Sequence, residues 1–181
     1  MTQRGYAFVA GEHGEWAIAR IEAVTGDGLA PAARLAVRAT LGEAPDGVWR
    51  LAGMVSNERY VTRSEKDALL ALPPAAAPSC AALIALRKSA AWWAMTQDER
   101  RAVFEAQSQH IALGLEYGAG IARRLHHCRD LAEDAPFDFL TWFEYSPEDA
   151  PRFDALLDRL RASAEWCFVE REVDVRLVRS A

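Results

Sequence analysis

A change of hydrophobic period divides this chain and limits what it can fold into. Up to Ser56 the apolar residues recur at β spacing: Tyr6 and Phe8, then Trp16, Ile18, Ile21 and Val24, then Leu35 and Val37, then Val48, Leu51 and Met54. Turn signals separate these runs, with G-E-H-G at 11–14, G-D-G at 26–28 and E-A-P-D-G at 43–47. The pattern predicts a four-stranded antiparallel sheet, followed by a short helix, S-E-K-D-A-L-L-A-L, capped by Ser64 and stopped by Pro73 and Pro74. The segment P-P-A-A-A-P-S then reads as a linker, placing a boundary between a mostly β half at 1–78 and a second half at 79–181.

Beyond that boundary strands and helices alternate. Cys80 to Leu86 is a continuous apolar run, as a buried strand requires. Thr96 with Glu99 forms a capping box opening a helix whose face carries Val103, Phe104, Gln107, Ile111 and Gly114, with His110 on its edge and Gly118 and Gly120 at its end. Ile121–Arg129 and Phe137–Tyr145 read as strands. Ser146, Pro147, Glu148 and Asp149 open a helix bearing Phe153, Leu156, Leu157 and Leu160. Glu165 to Val178 reads as the last strand, with Val169, Val173, Val175 and Leu177 on one face and Glu170, Glu172, Asp174 and Arg176 on the other. The order β-α-β-β-α-β is that of a ferredoxin-like unit, an antiparallel sheet with helices on one face. The fold class expected is therefore α+β.

Composition removes several functions. A formal charge of −5 with interspersed signs offers no basic stripe for a phosphate backbone, so no nucleic-acid partner is expected. The N-terminal apolar run is broken by Glu12, His13 and Glu15, so neither a signal peptide nor a membrane span is expected and the location read is cytoplasmic. Cys80, Cys128 and Cys167 are odd in number and far apart, which points to neither a disulfide framework nor a zinc site, and C-x-x-C-H is absent.

The chemistry-bearing residues concentrate between Lys88 and Glu144, which hold three of the six tryptophans and three of the four histidines. A helix histidine such as His110 can coordinate iron through one imidazole nitrogen if a carboxylate or carbonyl orients the other. Glu165 could supply that carboxylate, although spacing does not force the pairing and a solvated strand start is equally open. Arg123 and Arg124 are adjacent on a strand, so alternation sends them to opposite faces and one alone can reach a given cavity. An arginine in an apolar cavity holds a small oxyanion without losing its charge. His126 and His127 cannot chelate one ion from the same strand face, and are not read as a metal site. Trp92 and Trp93 read as core aromatics, with Lys88 close enough to snorkel or meet a carboxylate.

Five segments in order, K-S-A-A-W-W, H-I-A-L-G-L-E-Y, I-A-R-R-L-H-H-C-R-D-L, F-D-F-L-T-W-F-E and E-W-C-F-V-E-R-E-V-D-V-R-L, together resemble the chlorite dismutase family of haem b enzymes. The resemblance spans about residues 48 to 178, and the short chain is similar to the compact, dimeric branch of that family. It implies a dimeric ferredoxin-like α/β barrel with helices on its outer face, a truncated N-terminal half at 1–78 and a haem-binding half at 79–181. It further implies a homodimer with non-covalent haem b, converting the small anion chlorite to chloride and dioxygen. Carried over by position, His110 matches the proximal iron ligand, Glu165 its hydrogen-bonding carboxylate and Lys88 the residue linked to them. Arg123 matches the distal arginine, and Thr141 and Phe143 match distal wall residues. Trp92 and Trp93 match the tryptophan pair at the haem edge, and Asn57 and Tyr60 the propionate region. Two alternatives stay open at this point: a haem-binding or weak peroxidase relative without chlorite turnover, and a coproheme decarboxylase. The latter uses a tyrosine upstream of the tryptophan pair, and none occurs between Tyr60 and Tyr117.

Overall fold

Eight antiparallel strands close into a ring in the computed structural model, which describes residues 5–42, 47–56 and 59–180. They are β1 (Gly5–Gly11), β2 (Trp16–Thr25), β3 (Arg34–Arg38), β4 (Trp49–Val55), β5 (Cys80–Lys88), β6 (Ala122–His127), β7 (Phe139–Tyr145) and β8 (Val169–Arg179). Around the ring they run β1-β3-β2-β8-β5-β7-β6-β4. The four-stranded sheet expected for the first 56 residues is present as one arc, β2-β3-β1-β4, and strands of the second half supply the other, β8-β5-β7-β6. Most of the 43–47 turn lies outside the described residues. Two seams join the arcs: β2 pairs with β8 from Trp16↔Arg179 to Thr25↔Glu172, whereas β4 pairs with β6 only at Met54↔His127 and Val55↔His126. Each described strand pairs with a neighbour on both sides, although β2–β3 and β4–β6 are joined at only two positions each. Gly53 lets the short seam form, since a Cβ there would stand 2.8 Å from the His126 Cβ.

Strand alternation divides the side chains into two layers. Phe8, Trp16, Leu35, Leu83, Leu140, Trp142 and Val175 fill the barrel, all buried. Ile84, Phe139, Phe143, Phe153 and Leu157 form a second buried cluster on the outer face of β5 and β7, under the helices. Val169 belongs to this outer cluster rather than to the face of Val173, Val175 and Leu177, because the β5–β8 register shifts between Arg87 and Lys88.

The helices are α1 (Arg63–Leu70), α2 (Ala90–Ala94), α3 (Gln97–Arg101), α4 (His110–Tyr117) and α5 (Ala150–Arg161). Helix α1 is capped by Thr62, not Ser64: the Thr62 hydroxyl accepts from Glu65 N–H while the Glu65 carboxylate accepts from Thr62 N–H, a complete capping box. The Thr96–Glu99 box opens α3 as expected, but the helix it starts is not continuous. After α3 the chain widens into a π-helix at Ala102–Gln107, then turns through Gln109 at φ 53° before α4 begins at His110. Such widened turns cluster at functional sites. The break is sealed by Glu105, whose carboxylate accepts from Ile111 N–H at 2.7 Å and Ala112 N–H at 3.3 Å, satisfying two donors that the first turn of α4 exposes.

Glu165 is not in the last strand. It lies in a 3₁₀ helix, Ala164–Phe168, that links α5 to β8. Glu172 and Asp174 of β8, fully buried, anchor this corner. Arg161 of α5 reaches Glu172 at 2.7 Å and Asp174 at 2.9 Å, Arg176 reaches Asp174 at 2.5 Å, and Trp166 Nε1 donates to Glu172 at 2.8 Å. Burial opposes the charge on Asp174, and the Arg176 and Arg161 guanidinium groups outweigh it, holding its pKa below the ordinary value. The network fixes Trp166, and with it the adjacent Glu165.

Candidate active site

Between the outer face of β5–β7 and helices α1, α4 and α5 lies a cleft whose lining is predominantly apolar, enclosing about 1010 Å³ of empty space including its mouth. Ile84, Leu86, Phe139, Phe143, Leu157 and Ile111 supply much of its wall. Among the polar residues that interrupt this wall, His110 from α4 and Arg123 from β6 come from opposite layers.

The His110 ring is held by two groups, one of them fixed in turn by Lys88. Its Nδ1 lies 2.7 Å from Glu165 Oε2, Lys88 Nζ donates to Glu165 Oε1 at 2.8 Å, and Phe104 stacks on the imidazole with centroids 4.2 Å apart. Ser108, in the turn before His110, accepts from Glu165 N–H at 2.8 Å, so the carboxylate's backbone is tied to the same turn. Lys88 is 4% exposed and Glu165 3%, and the Lys88 ammonium lies over the Trp92 ring at 4.5 Å. Burial raises the Glu165 pKa, but His110 and Lys88 outweigh it and bring it down to about 2. A carboxylate that is ionised at working pH takes the Nδ1 proton as its hydrogen bond, which leaves the Nε2 lone pair free on the cleft side.

The sign of this shift gives a test in acid. Glu165 binds protons less readily folded than unfolded, so its contribution is complete above the ordinary carboxylate value of 4.5 and is lost as pH falls towards about 2. Denaturant unfolding of wild type should show stability falling across that window. Glu165→Gln should be less stable at pH 7 and should flatten the fall; an unchanged slope would refute the assignment.

On the opposite wall Arg123, Leu125 and His127 of β6 face the cleft, paired across β7 with Phe143, Thr141 and Phe139. Arg123 makes no hydrogen bond or ion pair among the described residues: it is a cation without a counter-ion there, exposed and lining the cleft. Desolvation lowers its pKa, but an arginine remains charged at neutral pH. Arg124 points the other way, into the barrel, its guanidinium 3.9 Å from the Tyr6 ring centroid and its Nε donating to His126 Nε2 at 3.0 Å. Burial pushes His126 down to about 4, so it is a neutral acceptor there.

The cleft thus brings together Lys88, Trp92, His110, Arg123, Thr141, Phe143, Glu165 and Tyr60 of the residues singled out in the sequence. Trp93 stands outside it, stacked on Phe139 at 5.9 Å, with Arg129 and Arg100 near its ring and its Nε1 donating to Asp138 at 3.3 Å. Tyr60 has φ 64°, and Arg101 holds its carbonyl and the Glu65 carboxylate, tying α1 over the cleft. Asn57 lies outside the described residues. Sequence reasoning missed Phe104, Glu105 and Arg59, and set aside His127; for His127 the signal was present, four residues from Arg123 on the same strand face.

These features define a class: a closed antiparallel α+β barrel with a largely apolar cleft on its outer wall, a carboxylate-tethered histidine on the helix side and, among the described residues, an unpaired arginine on the strand side. No family model matches the chain. Among solved structures, a dimeric chlorite dismutase from Nitrobacter winogradskyi is 49% identical over 97% of this chain and 99% of that one, with a TM-score of 0.87. A mutant chlorite dismutase from Candidatus Nitrospira defluvii in complex with cyanide is 24% identical, with a TM-score of 0.60 over 81% of this chain and 56% of that one. A doubly substituted form of the same protein is 17% identical over 99% of this chain and 93% of that one, with a TM-score of 0.69. The last two show likeness of fold alone. On the identity and coverage of the first, the chain belongs to the chlorite dismutase family. Among the described residues no helix is long and apolar enough to cross a membrane, and no group of three or more His, Cys, Asp or Glu stands ready to hold a bare metal ion.

Proposed function

We propose that this protein is a chlorite dismutase: with haem b bound non-covalently in the cleft, it converts chlorite to chloride and dioxygen. The carrying observation is the unpaired Arg123 in a cleft that also presents the Nε2 of His110, fixed by Glu165. The residues fit the cofactor. A lone histidine with a free Nε2 suits an iron already held by four porphyrin nitrogens, an apolar lining suits a planar macrocycle, and Trp92 Nε1, buried without a partner, offers a donor to a polar substituent. His110 would hold the iron, Glu165 and Lys88 would set the basicity of His110, and Trp92, Thr141 and Phe143 would wall the macrocycle, with Tyr60 and Asn57 towards its propionates.

Bound haem supplies the centre at which oxygen is transferred from chlorite. What the chain itself does follows from its residues. Glu165 accepts the Nδ1–H bond and gives the imidazole anionic character, and Lys88 keeps that carboxylate ionised. Arg123, with no internal carboxylate to compete, attracts the anion and retains its chlorine-containing fragment until both oxygen atoms leave as dioxygen.

Two further readings belong to this proposal. Each arc of the barrel has its strands in the order 4-1-3-2 of its own half, counted in chain order, which supports two ferredoxin-like halves divided near 78/79, the first showing, among the described residues, no helix between β1 and β2 or between β3 and β4. Homodimer assembly is supported by the dimeric Nitrobacter winogradskyi relative, matched nearly end to end. The enzyme reading is tested with haemin-loaded protein and chlorite in an oxygen electrode. Rapid dioxygen release, one per chlorite consumed, is expected; a normal haem spectrum without oxygen would leave a haem-binding protein and overturn the enzyme.

A further inference from the structure

The residue that the mechanism leaves unused is His127. It is 2% exposed and lines the cleft, and its Nε2 is buried with no hydrogen-bond partner. A buried polar atom left unpaired is costly, of the order of 1–3 kcal/mol, so a partner arriving with the ligand is the natural account of its retention. The rest of the neighbourhood is not built to satisfy it: Phe139 meets the ring edge-on at 4.8 Å and Leu125 is the next residue on the same strand face.

Its position says which part of a ligand it would meet. Arg123 and His127 are four residues apart on one face of β6, roughly 13 Å at the usual rise of a strand. Arg123 stands where the reacting anion would be held, so His127 lies towards one end of the cleft, in its buried part. Arg59 is at the same end, lining the cleft, and is near enough to depress the His127 pKa, while Asp130 accepts from Arg59 at 2.6 Å. With burial as the main cause, that pKa falls to about 4, so at neutral pH the ring is uncharged and carries one N–H. An uncharged N–H beside a guanidinium is a site for an anionic oxygen, and the rim of haem b carries two propionate carboxylates.

Resting on the haem reading above, we propose that His127 Nε2–H is a cofactor anchor, donating to a propionate carboxylate of the bound haem. The bond forms only on loading, which accounts for the atom being unpartnered without the cofactor. Arg59, which pairs with Asp130, lines the same end of the cleft.

The test measures haem loss rather than turnover. Wild type, His127→Leu and His127→Gln are each loaded with haemin or with haemin dimethyl ester, whose carboxylates are masked, and the rate of transfer to excess apomyoglobin is followed at the Soret band. Leucine should speed haemin loss by about tenfold, the loss of one hydrogen bond to a charged group, and glutamine, which keeps an N–H, should restore most of it. The dimethyl ester should leave all three proteins at nearly equal rates. Unloaded His127→Leu should melt no lower than wild type, since it removes an unpaired polar atom. Equal acceleration of both porphyrins, or no acceleration of haemin, overturns the anchor while leaving the haem reading intact. Failure of wild type to retain haemin at all overturns both.

Discussion

Replacing His110 by Ala is expected to lower haemin affinity by at least about 100-fold and to abolish oxygen release from chlorite. Loss of an outer partner of a metal-bound histidine already costs ~10–100-fold, and here the ligand itself is removed. The effect should be specific because nothing else in the cleft replaces it: the other histidine that lines it, His127, is on the strand wall, and Lys88 is committed to Glu165 at 2.8 Å. The fold should survive. His110 is at the first turn of α4, and that turn is held by Glu105 through Ile111 and Ala112 rather than by the imidazole. Haemin titration at the Soret band, with a melting curve of the unloaded variant, checks both halves of the statement. Affinity close to wild type would place the iron ligand elsewhere.

Replacing Arg123 by Ala should do the opposite: haemin binding and the Soret band remain nearly unchanged, and turnover falls by on the order of 10- to 100-fold, up to the size of a preorganised electrostatic contact. The guanidinium has no internal ion pair to lose, so its removal leaves no stranded carboxylate and should not destabilise the fold. With no cation to retain the chlorine-containing fragment, more hypochlorite should escape per chlorite consumed, measurable by trapping it with a chlorination indicator. Arg123→Lys should recover part of the rate, because a point charge attracts the anion without the planar fork. Full activity without extra hypochlorite in the alanine variant would remove Arg123 from the reaction.

The parts of this site legible in the sequence are those governed by local periodicity. Alternation alone sends Arg123 and Arg124 to opposite faces, and the structure places one in the cleft and the other against Tyr6 and His126 in the barrel. Applied once more, the same rule sends His127 to the side of Arg123; asking only whether His126 and His127 could chelate together hid that. Glu165 was harder, because E-W-C-F-V has a strand's composition and the 3₁₀ turn that lifts the carboxylate towards His110 is enforced by Arg161, Trp166 and Glu172 across α5 and β8. The interruption between α3 and α4 carries no glycine or proline to announce it. It exists because Glu105 caps a second helix start and Gln109 accepts a left-handed backbone, both consequences of packing. Ring closure was implied by the family resemblance and not by local periodicity, because β4 meets β6 some seventy residues later through two paired positions.

Those two positions have a thermodynamic meaning of their own. Of the two seams that close the ring, the long one between β2 and β8 contributes no residue to the cleft lining, and the short one ends at His127, whose side chain is part of the cleft wall. The latch of the barrel and the floor of the binding site are therefore the same piece of chain. A molecule that binds only the closed ring stabilises it by mass action, so occupancy of the cleft and integrity of the barrel are coupled quantities, with the Met54–His127 rung as the point at which one is converted into the other.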